Sequence, residues 1–532
     1  MKTTTMPKLS ATITKIFTIL VVGVVFLSFG WAHGATPVEN FNPYFSIDPN
    51  LPQPLAPMPT PSQYRWHQQE LQIFVHFGLN TFTGDEWGSG KVSPDIFNPT
   101  ELDCEQWARV AKENGFTRMT LVAKHHDGFC LWPSAFTDYS VKNSKWRHGQ
   151  GDVVGEFVKA CRKYGLGVGI YLSPWDRHDA RYGTTNYNDY FVNQVNELFD
   201  RYGRIDSFWL DLAFKDSGYS MPFDWQRIYD TMYRRNPACT IEMGGPDIGW
   251  IGNEAGSGLE TCWNIYEVPQ RTVSGALPGN MPVAYVGGIQ PEPEHVGQHP
   301  GYKAIPVLRY CPHLGDVSVR KGWFWKPDQS RGTNWWLQTY FNCVGRGSSL
   351  MYNFAPDRRG LFPAEDVAGA VALKAMLDAT FKTNFASGQT ITANTTWSAC
   401  VGFEAAKVVD GDSKTYWAAD ATNTTGQLEV DFKKSVSFNL VGLQEPVFMG
   451  QRVSRYRVEY WDGAAWQLFS AGTTIGYKKL DRHATVSATK VRLTIEDARA
   501  YPLISNFGIY LTPVSVSGGE PKKTGTREEK AI

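Results

Sequence analysis

Lys124, His125, His126 and Asp127 stand in a row at the end of an apolar run containing Met119, Leu121, Val122 and Ala123. Ionisable side chains there are costly to bury without partners, and useful where a polar ligand binds. The arrangement recurs. Ile73 to Phe82 carries His76 and leads into Glu86 and Trp87, and Gly167 to His178 ends in Tyr171, Trp175 and Asp176. Ile205 to Phe214 sets Asp211 among Phe208, Trp209, Leu210 and Leu212. Two carboxylates facing each other across a pocket hydrolyse a glycosidic bond without a metal, at roughly 5 Å apart when one of them attacks the sugar carbon. Asp211 is the candidate nucleophile, with an ion-paired or capping aspartate as the alternative. Its partner is Glu254, in the glycine-rich GWIGNEAGSG, or one of Glu86, Glu242, Asp247 and Glu260; spacing does not choose among them. His125-His126 suits a metal poorly, because neighbours on a strand point to opposite faces and no HxH or HExxH accompanies them. Hydrogen bonding to hydroxyl groups fits the pair better, with a structural role for one of the two.

The elements that must position these residues alternate. Cys104, Trp107, Ala108 and Ala111 share a helical face that stops at Asn114-Gly115. Val154, Phe157, Val158 and Cys161 do the same before Gly165, and Phe191, Val195 and Leu198 before Gly203. Apolar residues at three- and four-residue spacing before a glycine are helix core faces with C-terminal caps. Strand, helix, strand, helix in short units predicts a parallel sheet. Polar residues at the end of nearly every strand favour the (β/α)8 barrel, an α/β fold whose active site lies there. Later strands are predicted at Thr240–Gly244, Leu259–Ile265, Val317–Arg320 and Leu350–Phe354.

With 532 residues, the chain divides into more than one domain. The barrel is expected over residues 44–385, ending in a helix at Asp366–Thr383, with Ala386-Ser387-Gly388 as linker. From 389 to 512 the pattern turns to short alternating strands around Leu428–Phe432, Tyr456–Trp461, Trp466–Phe469 and Val491–Ile495, with a hairpin turn at Asp462-Gly463. That texture argues a β-sandwich. Residues 1–34 read as a secretory signal peptide, with an uncleaved anchor as the alternative: Lys2, Lys8 and Lys15, an uncharged stretch from Ile16 to Trp31, then small residues before Ala35. The expectation is a secreted, extracellular protein without stable membrane association once the signal is cleaved. Sequons at Asn394 and Asn423 accept glycans in a eukaryotic host. Residues 515–532 are polar and expected to be disordered. Net charge is zero, which removes the electrostatic case for nucleic acid or an anionic membrane surface. Nineteen Trp fit sugar-ring stacking as well as core packing. Eight cysteines without metal-ligand spacing read mostly as buried thiols, with one or two disulfides compatible with export.

Together HFGLNTF, GDEWGSG, KHHDGFCLWPS, Tyr171-Leu-Ser-Pro-Trp175, SFWLDLAF, GPDIGWIGNEAG and GWFW resemble glycoside hydrolase family 29, the retaining α-L-fucosidases, over roughly residues 44 to 385. The resemblance makes Asp211 the nucleophile and Glu254 the general acid/base, and it needs no cofactor and no metal. It implies that His76, His125, His126, Tyr171 and Glu86 hold fucose hydroxyls, and that Trp87, Trp132 and Trp323 wall the sugar's methyl group. The Glu254 loop looks like that of the subfamily acting on α-1,3/4-linked fucose, so fucosylated oligosaccharides or glycoproteins are the expected partners. One departure stands out: family members usually carry glycine after the nucleophile, where this chain has Leu212. That residue is the motive for a rival reading as a glycan-binding protein without turnover; a glycosidase for another linkage or deoxy sugar is the third reading. The C-terminal part resembles a discoidin-type module, through VVDGDSKTYWAAD and RVEYWDGAAWQLF, which allows sugar binding or a calcium site near Asp410 and Asp412, with a packing domain that stabilises the barrel as the alternative.

Overall fold

The computed structural model describes residues 48–211, 213, 221–268 and 307–513. The signal-peptide and tail expectations, and Leu212, lie outside the described residues. Eight parallel strands run β1 (Leu71–Val75), β2 (Arg118–Lys124), β3 (Gly167–Leu172), β4 (Ser207–Leu210), β5 (Thr240–Met243), β6 (Gly249–Trp250), β7 (His313–Ser318) and β8 (Ser349–Asn353). Their order in the sheet is β5-β4-β3-β2-β1-β8-β7-β6. The remaining seam is narrowed by a single parallel bridge, Glu242 to Ile248, so the sheet is a nearly closed barrel.

Helices α1 (Pro61–His67), α2 (Cys104–Glu113), α3 (Val153–Lys163), α4 (Asn186–Tyr202), α5 (Trp225–Arg235), α6 (Thr333–Cys343) and α7 (Ala364–Phe381) accompany the strands. Asp103 and Asp152 cap α2 and α3 by accepting the Gln106 and Gly155 amides at 2.9 and 2.8 Å. The expected stops at Asn114-Gly115, Gly165 and Gly203 fall directly after α2, α3 and α4. Cys104, Trp107, Ala108 and Ala111 are all buried. Short α1 closes the N-terminal end of the barrel: the Gln63 amide donates to the Asp247 and Tyr310 carbonyls, both at 2.9 Å, and the Trp66 indole to Glu242 at 2.8 Å. Above that plug, Phe74, Val122, Tyr171, Trp209, Leu314 and Met351 fill the barrel interior as one buried layer.

Two late strands depart from expectation. Leu259–Ile265 is not a barrel strand; Ile265–Val268 instead forms an antiparallel pair with Val307–Tyr310 outside the barrel. The sixth barrel strand is Gly249–Trp250, two residues too short to register as a periodic pattern. The seventh begins at His313, four residues before the expected Val317, because His313 and Asp316 interrupt its apolar run.

The C-terminal part is a six-stranded antiparallel sheet with a small second sheet, Trp417–Ala418 against Leu503–Ile504. Two long strands, Gly426–Gln444 and Lys479–Ala498, form its spine, with register shifts that bend them. Along Gly426–Phe432 burial alternates residue by residue; from Phe438 to Leu443 every residue is buried. No disulfide joins any two of the eight cysteines, seven of which are buried.

Candidate active site

Asp211 follows directly on β4, at the C-terminal mouth of the barrel. Its Oδ2 accepts the Tyr171 hydroxyl at 3.0 Å and lies 3.8 Å from His126 Nε2; its Oδ1 accepts the Ala213 amide at 2.9 Å. Burial raises its carboxyl above the usual range, and the two donors hold that rise back. Tyr171 lies beside the nucleophile candidate because β3 and β4 pair Tyr171 with Trp209.

Glu254 belongs to the loop after β6. Asn253 folds this loop on itself, its carboxamide oxygen accepting the Ala255 and Ser257 amides at 3.1 and 3.3 Å. Gly256 has φ +60°, and a Cβ there would lie 2.6 Å from the Thr339 methyl on α6, so only glycine lets the loop lie this close. The Trp323 indole donates to Glu254 Oε2 at 3.3 Å. Burial raises the Glu254 carboxyl against that bond, and the charges of Asp211 and Glu86 add to the rise.

The other carboxylates sort themselves by position. Glu242 sits at the barrel's closed end with Trp66 and Arg118, Asp247 accepts the Ile241 amide and the Tyr233 hydroxyl, and Glu260 is an exposed partner of Arg346. Glu86 lies beside the mouth, held by the Trp323 amide at 2.8 Å and Lys326 at 2.6 Å.

Three imidazoles gather beside Asp211. His125 and His126 have ring centroids 4.1 Å apart, and His76 lies 5.8 Å from His125. They converge because β2 ends at Lys124, so the opposite-face rule for neighbouring strand residues no longer applies. Lys124 itself turns away, to Asp176 at 3.2 Å, Tyr187 and Gln194. Burial pushes His76 and His126 down to about 3 and His125 well below its usual value, so all three are neutral. Their tautomers follow from their neighbours. Asn353 donates to the Trp323 carbonyl and Ser318, leaving its oxygen to accept His76 Nδ1–H at 2.8 Å. Ser173 donates to the Trp175 carbonyl at 2.6 Å and so accepts His126 Nδ1–H at 2.8 Å. Both histidines thus keep Nε2 as an acceptor, to which a sugar hydroxyl can donate.

Aromatic rings complete the site. Trp323 stands 5.0 Å from His76, and Phe324 packs edge-on to His76 and His125. Trp175 lies 4.9 Å from His126 and 5.4 Å from the exposed Trp87. Trp132 corrects the expectation. It is fully buried in the core between sheet and helices, its indole donating to Glu197 at 2.8 Å, and does not join this cluster. Sequence reasoning passed over Ser173, Trp250, Asp316, Phe324 and Asn353. Asp316 and Asn353 carried a signal, a polar residue in an apolar stretch. In the C-terminal sheet domain, Asp410 accepts the Asp412 amide and the Thr415 hydroxyl within one turn. Among the described residues no group of three or more His, Cys, Asp or Glu side chains converges to hold a metal.

A parallel barrel whose mouth sets two carboxyls among hydroxyl-accepting imidazoles and indole faces has the architecture of a glycoside hydrolase. Residues 56–245 match the family model described as alpha-L-fucosidase, and residues 390–507 match the F5/8 type C domain. Alpha-L-fucosidase 1 of Arabidopsis thaliana is 37% identical over 89% of this chain and 91% of its own. The crystal structure of SpGH29 superposes with a TM-score of 0.77 at 32% identity, over 87% of this chain and 100% of that one. A Ruminococcus gnavus GH29 fucosidase in complex with fucose also gives 0.77, at 27% identity over 87% and 96% of the two chains. The chain belongs to the α-L-fucosidase family, glycoside hydrolase family 29, and carries a C-terminal F5/8 type C domain.

Proposed function

We propose that the protein is an exported retaining α-L-fucosidase that releases α-1,3/4-linked fucose from glycans by double displacement. The observation that carries the reading is the pair Asp211 and Glu254 at one mouth of the barrel, Asp211 lying 3.8 Å from His126 and Glu254 accepting the indole of Trp323, whose ring stands 5.0 Å from His76. Asp211 attacks the anomeric carbon while Glu254 protonates the departing oxygen, giving a fucosyl ester on Asp211. Glu254 then takes a proton from water, which attacks the same carbon and releases fucose with its configuration retained. His76, His125, His126, Tyr171 and Glu86 hold the sugar hydroxyls, and Trp323, Trp87 and Trp175 give its apolar face a wall.

The linkage rests on the likeness of the Glu254 loop to that of α-1,3/4-acting enzymes. Release of fucose from a Lewis-a trisaccharide but not from 2′-fucosyllactose is the expected result; the reverse overturns the linkage and keeps the family. Azide should rescue Asp211→Ala with inverted product and Glu254→Ala with retained product. An inverted azide product from Glu254→Ala would sink the assignment of roles. Export predicts that the mature protein recovered outside the cell starts near Ala35, which N-terminal sequencing checks.

A further inference from the structure

Asp316 is a buried carboxyl that the proposed mechanism does not use. On β7 it follows Leu314 by two residues, so it faces the same side, one step above the interior layer that Leu314 joins. It is 5% exposed, and its Oδ1 accepts the Trp250 indole N–H at 2.7 Å. Among the described residues no cation pairs with it; the titratable groups whose charge it feels are Glu254 and Asp211.

Its partner sits on the shortest strand of the barrel. β6 has two residues, Gly249 and Trp250, registered on His313 and Leu314 of β7, and its outer edge meets β5 through the one bridge at Ile248. Four residues after Trp250 comes Glu254. Beyond the loop's own bonds, the Glu254 carboxylate is held by the Trp323 indole. The bond from Trp250 to Asp316 is therefore a side-chain tie, in the wall of the site, on the strand that delivers Glu254.

We propose that Asp316 is a positioning residue for the acid/base: by accepting the Trp250 indole N–H it fixes the short strand from which the Glu254 loop departs. The inference rests on the reading of Glu254 as acid/base. Burial lifts the Asp316 carboxyl to about 8 against the lowering bond from Trp250, and the charges of Glu254 and Asp211 add to the lift. Near neutral pH it is the uncharged acid, and asparagine is its closest isostere: the amide oxygen still accepts from Trp250.

The test exploits leaving groups. A fucoside with an activated aryl leaving group needs no proton from the enzyme to depart, whereas a glycan does. For Asp316→Ala, kcat/KM on the glycan should fall roughly tenfold to a hundredfold, while kcat/KM on the aryl fucoside stays within about threefold. Asp316→Asn should keep both within about threefold, and Trp250→Phe, which removes the donor and keeps a ring, should reproduce the split. Equal loss on both substrates in folded Asp316→Ala overturns the inference, because it marks a sugar contact or a general defect. Should Asp316→Ala not fold, Trp250→Phe carries the same decision. Glu254→Ala in the same panel separates the two claims: equal loss there removes the acid/base reading itself, whereas a split there with none at Asp316 or Trp250 removes only this inference.

Discussion

Tyr171 and Trp323 each donate one hydrogen bond to one of the two carboxyls, and the direction of each effect is fixed by which form the bond favours. Both donors stabilise the ionised carboxylate and lower its pKa. The proposed mechanism needs Asp211 ionised and Glu254 protonated, so activity rises with pH through the first group and falls through the second. In Tyr171→Phe, Asp211 ionises at higher pH, and the acid limb of kcat/KM should move upward. In Trp323→Phe, Glu254 keeps its proton to higher pH, and the alkaline limb should move upward instead. A pH–rate profile of the two variants checks both signs; a shift of the wrong limb in either would reassign that donor.

At the scale of elements, strand ends decide where side chains go. β2 stops one residue before His125, which lets two consecutive histidines face one pocket. The same segment continues to Trp132, which turns into the core and shares Glu197 with the Ser134 hydroxyl and the Ala135 amide, both at 2.7 Å. Trp132→Phe should therefore cost about 1–3 kcal/mol of stability, as buried Glu197 loses a donor, with kcat unchanged. Chemical denaturation and steady-state kinetics on one preparation test this; a fall in kcat without a fall in stability would return Trp132 to the sugar. Gly256→Ala acts oppositely. Its methyl would press on Thr339 at 2.6 Å in a backbone region that alanine avoids, so the loop and Glu254 shift and glycan turnover should fall by roughly tenfold or more.

Across the whole molecule, the sheet domain is locked to the barrel by polar contacts from several loops. The His67 ring stacks on Tyr477 at 4.0 Å, Tyr477 and Lys478 reach Glu70, and Gln451 bonds both the Asn264 amide and the Cys262 carbonyl. Buried titratable groups on this interface and in the barrel bend the stability curve from two sides. His67, His76, His126 and His313 are each held near 3 by burial, below the value near 6.5 of an unfolded chain, so their contribution is lost as pH falls from about 6.5. Asp127 and Glu445, near 7, and Asp316, near 8, are raised; their contribution is lost as pH rises from about 4 through those values. Denaturation midpoints should thus fall below pH 4, where the histidines act together with the lowered carboxyls of Asp179, Glu404, Asp431, Glu459 and Asp462, and again between pH 6.5 and 8. His67→Phe should remove about 1.4 kcal/mol per pH unit from the acid slope; an unchanged slope would mean His67 is not neutral in the fold.

Much of this was legible without coordinates. Strands β1 to β5 and β8, the helices stopped by Gly115, Gly165 and Gly203, and the cluster of His76, His125, His126, Tyr171 and Asp211 follow from local rules: apolar runs, helical spacing, glycine stops, and the cost of a charge at a buried strand end. Those signals need only near neighbours in sequence, so the chain displays them directly. What spacing left open depends on residues far apart. Spacing left Glu254, Glu86, Glu242, Asp247 and Glu260 open as the partner of Asp211, and resemblance alone favoured Glu254; in space Glu254 and Glu86 lie at the mouth, while Glu242 lies at the plugged end with Trp66. Trp132 and Trp323 are both tryptophans in suggestive motifs, yet one meets Glu197 in the core and the other Glu254 in the mouth. β6 is too short to show any period and exists because β7 gives it a register to join. The tertiary structure decides these matters because burial and electrostatic contact are set by distance in space, which sequence spacing fixes only within one element.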